Sequence, residues 1–261
     1  MTGPVAVALG GDAGVDEGHR RALADLGGAF RVTEPAVAEV LLVDCAVPGW
    51  SDRLRERSDR TRLVVLARPV AAVLPWVERL AARSVRCVLD VPATPLPAWT
   101  GGGPGGPLPL AGAELIDLDV RLPTGDPHTA LATQLAVARR LVPRLGALTA
   151  AELRPDGYTL VSHAADHTTV LVGSVGSVGS VGGGGPELVL DAVGAAARWS
   201  VTLGARSTVV RHDADGVRAG ALPGVEDRHG LWEAVGEVLA SGALSPLDAL
   251  PVLRETAALL R

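Results

Sequence analysis

The sequence predicts an α/β protein: an N-terminal Rossmann-like, doubly wound parallel sheet, followed by an α+β domain with a mostly antiparallel open sheet. Three observations predict it. Over the first ninety residues short apolar runs alternate with amphipathic ones. The apolar runs are continuous in Val and Leu, as LLV, LVVLA and VRCVL show, which is how strands buried on both faces read. Past a break rich in Pro and Gly the pattern changes to closely spaced β-like segments, which suit an antiparallel sheet.

In order, the first domain (residues 1–92) reads as Val5–Leu9, Asp16–Leu26, Phe30–Thr33, Val40–Val43, Asp52–Arg60, Leu63–Ala67, Val70–Ala82 and Val85–Leu89. Strands and helices alternate there, and such alternation forces right-handed crossovers into a parallel sheet. Residues 93–112 hold too many Pro and Gly for a helix or a central strand and form the linker. The second domain (113–261) opens with a strand, Ala113–Leu122, and a helix, His128–Leu145. β-like segments follow at Thr149–Arg154, Tyr158–His163, Thr168–Gly173, Glu187–Val193, Arg198–Leu203 and Ser207–Arg211, and then a helical pair, Leu231–Ala240 and Pro246–Leu260. The threefold Gly-Ser-Val repeat ending in four glycines, residues 173–185, predicts a flexible hairpin loop with a little strand at its start. It has neither the following helix nor the cation that a phosphate-cradling loop needs.

Composition narrows the function. Of 261 residues 48% are hydrophobic, yet Phe, Tyr and Met occur once each, so the core is Val, Leu and Ala with a few Trp anchors. The 24 basic residues stand against 29 acidic ones and are spread along the chain, which argues against a nucleic-acid partner. No apolar run reaches the roughly 18 residues of a membrane helix, and no N-terminal signal segment is read. Cys45 and Cys87 lie in apolar stretches, as small core residues of a reducing, cytoplasmic compartment do. Every cation is an Arg, because the chain contains no Lys.

The first strand runs into Leu9-Gly10-Gly11-Asp12-Ala13-Gly14, part of the glycine turn that brings a dinucleotide pyrophosphate to a helix N-terminus. Gly11 and Gly14 take the second and third glycine places, with Gly10 beside them, but the first place is Leu9. Asp12 puts a carboxylate next to the expected pyrophosphate and repels it. Glu34, ending the second strand, is the natural ribose-binding acid, with Asp44 as competitor. A tight strand-to-helix turn that binds nothing is the alternative. His163, Asp166 and His167 do not read as a metal site, since residues four apart share a face only on a helix.

The segment from Thr61, TRLVVLARPVAAVLPWVERLAARSVRCVLDVP, resembles the glucose-fructose oxidoreductase / inositol dehydrogenase (Gfo/Idh/MocA) family. There a strand ends in a Pro-bearing loop, a helix of alanines and leucines follows, and the next strand ends in Glu-Lys-Pro. ARRLVPRLG, DHTTVLVGSVGSV and PELVLDAVGAAARWSVTLG are similar to the second half of that family. The resemblance implies an NAD(P)-dependent two-domain oxidoreductase whose Lys exchanges a proton with the substrate. At that position stand Asp90-Val91-Pro92, so the Lys is absent. The family's helix with an Asp and a His one turn apart is matched only by Asp126 and His128 at a helix start. Asp126 also reads as a helix cap followed by Pro127. Arg68, Asp90 and His128 remain as catalytic candidates, although a guanidinium is a poor proton shuttle.

Two functions are therefore expected. One is a truncated, redox-neutral catalyst or binding subunit acting on a small molecule. The other is an NAD(P)H-dependent reductase of an activated substrate such as a cyclic imine, where the nicotinamide carries the chemistry. The second sheet is expected to expose an apolar face around Trp199, covered in a homodimer or by a heteromeric partner.

Overall fold

The computed structural model describes residues 3–91, 113–122, 125–142, 145–176, 187–203, 207–221, 228–242 and 248–261. The linker expected over 93–112, Pro92, and most of the Gly-Ser-Val repeat lie outside the described residues. The chain forms two compact units, Met1–Thr94 with Asp227–Ala257, and Pro95–Glu226 with Ala258–Arg261.

The first unit holds β1 (Val5–Ala8), β2 (Phe30–Val32), β3 (Val40–Asp44), β4 (Leu63–Ala67) and β5 (Arg86–Leu89). All five are parallel, in the order β2-β1-β3-β4-β5. Every residue of β1, β3 and β4 is buried, which is why these strands read as unbroken Val/Leu runs. Their crossovers carry α1 (Ala13–Asp25), α2 (Trp50–Arg55) and α3 (Leu74–Ala81). From β1 the chain steps one way to β2 and afterwards the other way through β3, β4 and β5. Right-handed crossovers therefore put α1 on one face and α2 and α3 on the other. The reversal opens a crevice beyond the carboxyl ends of β1 and β3, where open α/β sheets take their ligands.

The second unit is an eight-stranded sheet of β6 (Ala113–Leu122), β7 (Leu148–Arg154), β8 (Gly157–His163), β9 (Thr168–Val175), β10 (Glu187–Gly194), β11 (Ala197–Leu203), β12 (Thr208–Asp213) and β13 (Gly216–Ala221). Its order is β13-β12-β11-β10-β6-β9-β8-β7, antiparallel except for the central β6/β9 pair. One face is covered by α4 (Pro127–Leu141), which starts on an Asp126 side-chain cap to the Thr129 amide, as the Asp-Pro pattern predicts.

Trp199 is not on the open face. Register links Trp199 to Ala192 and Ala192 to Ile116, so all three point to one side, the side that holds α4, and Trp199 is only 3% exposed. The opposite side carries Leu115, Asp117 and Asp119 of β6 paired with Val193, Asp191 and Val189 of β10. This face is mixed, with apolar residues around three carboxylates. Partial burial, and then the charges of Asp119 and Asp191, raise the pKa of Asp117.

The C-terminal helices depart from the sequence-based boundary, which assigned everything from Ala113 onward to the second domain. α5 (His229–Ser241) and the bulk of α6 (Ala249–Leu259) return to the first unit. α5 buries Leu231, Trp232, Val235, Val238 and Leu239, a helical stripe that needs a partner surface. The Trp232 ring packs edge-on against Phe30 at 5.5 Å and His19 at 5.7 Å between centroids. Asp248 bridges antiparallel to Val88 of β5, and Arg254 pairs with Glu78 of α3 at 3.0 Å.

Candidate functional site

The crevice of the first unit is built from the residues that follow β1, β3 and β4. Gly10 leaves β1 so close to β3 that a Cβ there would lie 2.9 Å from the Leu42 carbonyl oxygen. A Cβ on Gly11 would meet Asp16 Oδ1 and Val15 Cγ1, both at 2.8 Å. These two glycines are required by packing. Gly14 is different, since only Asp12 Oδ1 comes near its Cβ position, at the ordinary distance of 3.5 Å. The close helix packing expected of a third glycine is not what Gly14 supplies.

Asp12 is the N-cap of α1 and accepts from the Val15 amide at 2.9 Å. The Gly11 amide donates to Asp16 Oδ1 at 2.8 Å, and the Asp12 amide points to Asp44 Oδ2 at 3.5 Å. The amides at the start of α1, the natural anion site of this fold, are thus directed at the chain's own carboxylates. Asp44, fully buried at the end of β3, also accepts from the Ala46 amide at 3.1 Å.

Arg68 joins these acids. It follows β4 with a left-handed φ of 45°, a strained conformation for a residue with a side chain. Its Nε donates to Asp44 Oδ1 at 2.9 Å, and its Nη2 reaches both Asp44 Oδ2 and Asp12 Oδ2, the latter at 2.5 Å. Asp12, read from sequence as uncompensated, is therefore paired. Its pKa is lowered, first by the Val15 amide and then by Arg68. Arg68 is held protonated by the Asp44 hydrogen bond above all. The result is a charged cluster in which Arg68 joins Asp12 and Asp44, with Asp16 beside them on the Gly11 amide and Arg53 against Gly10, its Nε 3.9 Å from where a Cβ would lie.

Asp44 is committed to this cluster and is not free to bind a ribose. Glu34 is exposed at the end of β2, beside β1, with no side-chain capping bond in the short 3-10 turn that follows.

Asp90 does not point into the crevice. Its carboxylate is buried, with Oδ2 3.3 Å from His19 Nε2 and Oδ1 3.3 Å from Arg228 Nε. Trp232 Nε1 donates to His19 Nδ1 at 3.1 Å, so the other ring nitrogen carries the hydrogen directed at Asp90. Burial raises the Asp90 pKa, but Arg228 and His19 outweigh it, and the net shift is downward. Asp90, a catalytic candidate in the sequence, is thus a buried tie between β5, α1 and α5. Val91 beside it is 2% exposed. The strand-end pair of cation and proline at the crevice is Arg68-Pro69. His128, half-buried in the first turn of α4, belongs to the other unit.

The sequence reading passed over one network in the second unit. Gln134 of α4 is fully buried and donates to the carbonyls of Leu118 on β6 and Val172 on β9, the latter at 2.9 Å. Tyr158 Oη donates to Gln134 Oε1 at 2.9 Å. The signal in the sequence was a polar residue in the apolar run ALATQLAVA. Among the described residues no group of His, Cys, Asp or Glu is arranged to hold a metal, and no helix is long and apolar enough to cross a membrane.

No protein-family model matches the sequence, and no curated protein matches it either. Solved structures do. A transcriptional regulator from Kluyveromyces lactis superposes with a TM-score of 0.68 at 10% identity, over 99% of this chain and 89% of that one. A UDP-N-acetylglucosamine 3-dehydrogenase from Acidithiobacillus ferrooxidans gives 0.60 at 12% identity, over 100% and 96%. A mutant of a 3-ketoreductase from Actinomadura kijaniata, in complex with TDP-benzene and NADP, gives 0.60 at 14% identity, over 98% and 96%. With its parallel five-stranded sheet and its second, mostly antiparallel one, the chain has the two-domain fold of the Gfo/Idh/MocA oxidoreductases.

Proposed function

We propose that this chain is a redox-neutral relative of the oxidoreductases whose fold it shares, a cytoplasmic protein that binds a small molecule and acts as a binding or partner subunit. The observation that carries this reading is the charge of the crevice. Three carboxylates, Asp12, Asp16 and Asp44, against two guanidiniums, Arg68 and the Arg53 that lies against Gly10, still leave it net negative where a pyrophosphate dianion would have to sit, and the amides of Val15, Gly11 and Asp12 are already directed at Asp12, Asp16 and Asp44. A neutral or cationic, hydroxyl- or ammonium-bearing ligand suits such a crevice better than a nucleotide. Val91 stands where the resemblance gives a Lys, and the cation nearest to that role is Arg68, one residue before a proline at the end of the preceding strand. A guanidinium there anchors charge and does not relay protons. A non-enzymatic role has company in this fold, since one of the similar structures is a transcriptional regulator. The mixed face of the second sheet is the surface we assign to a second copy or a partner.

A second reading, an NAD(P)H-dependent reductase, is favoured by Glu34, which stands exposed at the end of β2 as a ribose ligand would, and by the NADP in one similar structure.

Titration with NADH and NADPH, followed by nicotinamide fluorescence, separates the two. The expected result is no saturable binding up to about 1 mM, a ceiling of roughly 4 kcal/mol of affinity. Saturation below about 0.1 mM would replace the first reading with the second.

A further inference from the structure

The strongest feature outside the crevice is a cleft of about 270 Å³ between α2 and α3, lined by Leu54, Arg55, Arg57, Trp76, Arg79, Leu80 and Arg83. Four guanidiniums and no carboxylate line it. As crossover helices, α2 and α3 both run back along the sheet, so the arginines near their C-terminal ends lie at the edge opposite the crevice.

Cations at helix C-termini are favoured by the helix dipoles, and that accounts for Arg55 and Arg79 in the last turns. It does not account for the whole group. Arg55 and Arg79 are both fixed on the Trp76 ring, with guanidinium carbons 5.2 and 5.0 Å from its centroid, and Trp50 braces Trp76 edge-on at 6.3 Å. Arg57 and Arg83 lie past the helix ends. Arg57 Nε is buried and finds no acceptor among the described residues. Among the described residues Asp52 pairs with Arg55 and with no other cation. A desolvated guanidinium N–H without an acceptor, in a cleft of like charges, is satisfied by an anion.

We propose that this cleft binds a compact, multiply charged anion of the phosphate class. Arg57 and Arg83 grip the phosphoryl oxygens, while Arg55 and Arg79, held on Trp76, fix the walls. The volume lies just under the roughly 300–1,000 Å³ of sites for drug-sized ligands, which suits a phosphate or sugar phosphate and excludes a dinucleotide. The site is independent of the reading of the crevice.

The test is calorimetric titration of the full chain at constant ionic strength with inorganic phosphate, inorganic pyrophosphate and a hexose monophosphate, which distinguishes free phosphate from a phosphorylated metabolite. Saturable binding of at least one probe is expected. Arg83→Gln, an exposed and fold-neutral change, should weaken it about tenfold, and Arg57→Gln at least as much. Arg21→Gln, an exposed cation on α1, should leave it unchanged. No saturable heat with any probe, or equal affinity in Arg83→Gln and the parent, would overturn the proposal.

Discussion

Asp90→Asn is expected to destabilise the first unit by about 3 kcal/mol, lowering its melting temperature by roughly 6–12 °C. The substitution keeps the shape and still offers His19 an oxygen, but it removes the charge that faces Arg228 in the interior. Breaking one side of a buried ion pair costs more than the pair contributes, because the remaining charge stays desolvated. The sign with pH follows from the lowered Asp90 pKa. A carboxyl whose folded pKa lies below its unfolded value near 3.8 contributes its full stability above that value and loses it as pH falls through the folded pKa. The gap between parent and variant, measured by thermal melts, should therefore be constant around neutrality and close on acidification below about pH 4. A gap that persisted unchanged in strong acid would show that Asp90 acts through packing and not through its charge.

Asp90 also shows what a linear reading can and cannot supply. The residue was singled out because it precedes Val91-Pro92 at a strand end, which is a local signal. Its role is set by His19, 71 positions earlier, and by Arg228 and Trp232 far downstream. The same holds for Asp12, Asp44 and Arg68. Each was visible as a strand-end residue, but only the parallel order β1-β3-β4 brings the three together, so that Asp12 reads alone as repulsive and in the fold as paired.

The strands were legible because burial on both faces writes itself as consecutive Val and Leu, and β3, β4 and β5 stand within a residue or two of where the pattern put them. Other features were not. The apolar stripe of α5 says that the helix is covered, not that it covers α1 and not the second sheet. Trp199 was given the wrong face because a period of two fixes which residues share a side, but not which side the helix takes. β13 went unread, although Asp213-Ala214-Asp215-Gly216 is a turn signal, with Asp213 Oδ1 accepting from the Asp215 amide at 2.9 Å and Gly216 at a φ of 119°.

The largest effect in the second unit is expected at Gly173, where the sequence ends the β-like segment Thr168–Gly173 and begins the Gly-Ser-Val repeat. Gly173 stands directly across from Tyr158 in the β8/β9 pair, and the fully buried phenol lies over the glycine. A Cβ there would fall inside the van der Waals radii of Tyr158 Cζ, Cε1 and Oη. The ring cannot move aside cheaply. Its hydroxyl supplies Gln134 Oε1, and Gln134 in turn fastens α4 to the carbonyls of β6 and β9. Gly173→Ala should accordingly cost about 3 kcal/mol or more, combining overpacking with the loss of a buried hydrogen bond. Taken alone, Tyr158→Phe should cost about 1–3 kcal/mol, because it leaves the Gln134 oxygen buried without its donor. The decisive measurement is a double-mutant cycle by urea unfolding. In a Tyr158→Ala background the space over residue 173 is open, and Gly173→Ala should become nearly neutral or stabilising by a few tenths of a kcal/mol, since alanine orders more cheaply than glycine in a strand. An undiminished cost of Gly173→Ala in that background would locate the need for glycine in the backbone of β9, and the phenol would no longer explain it.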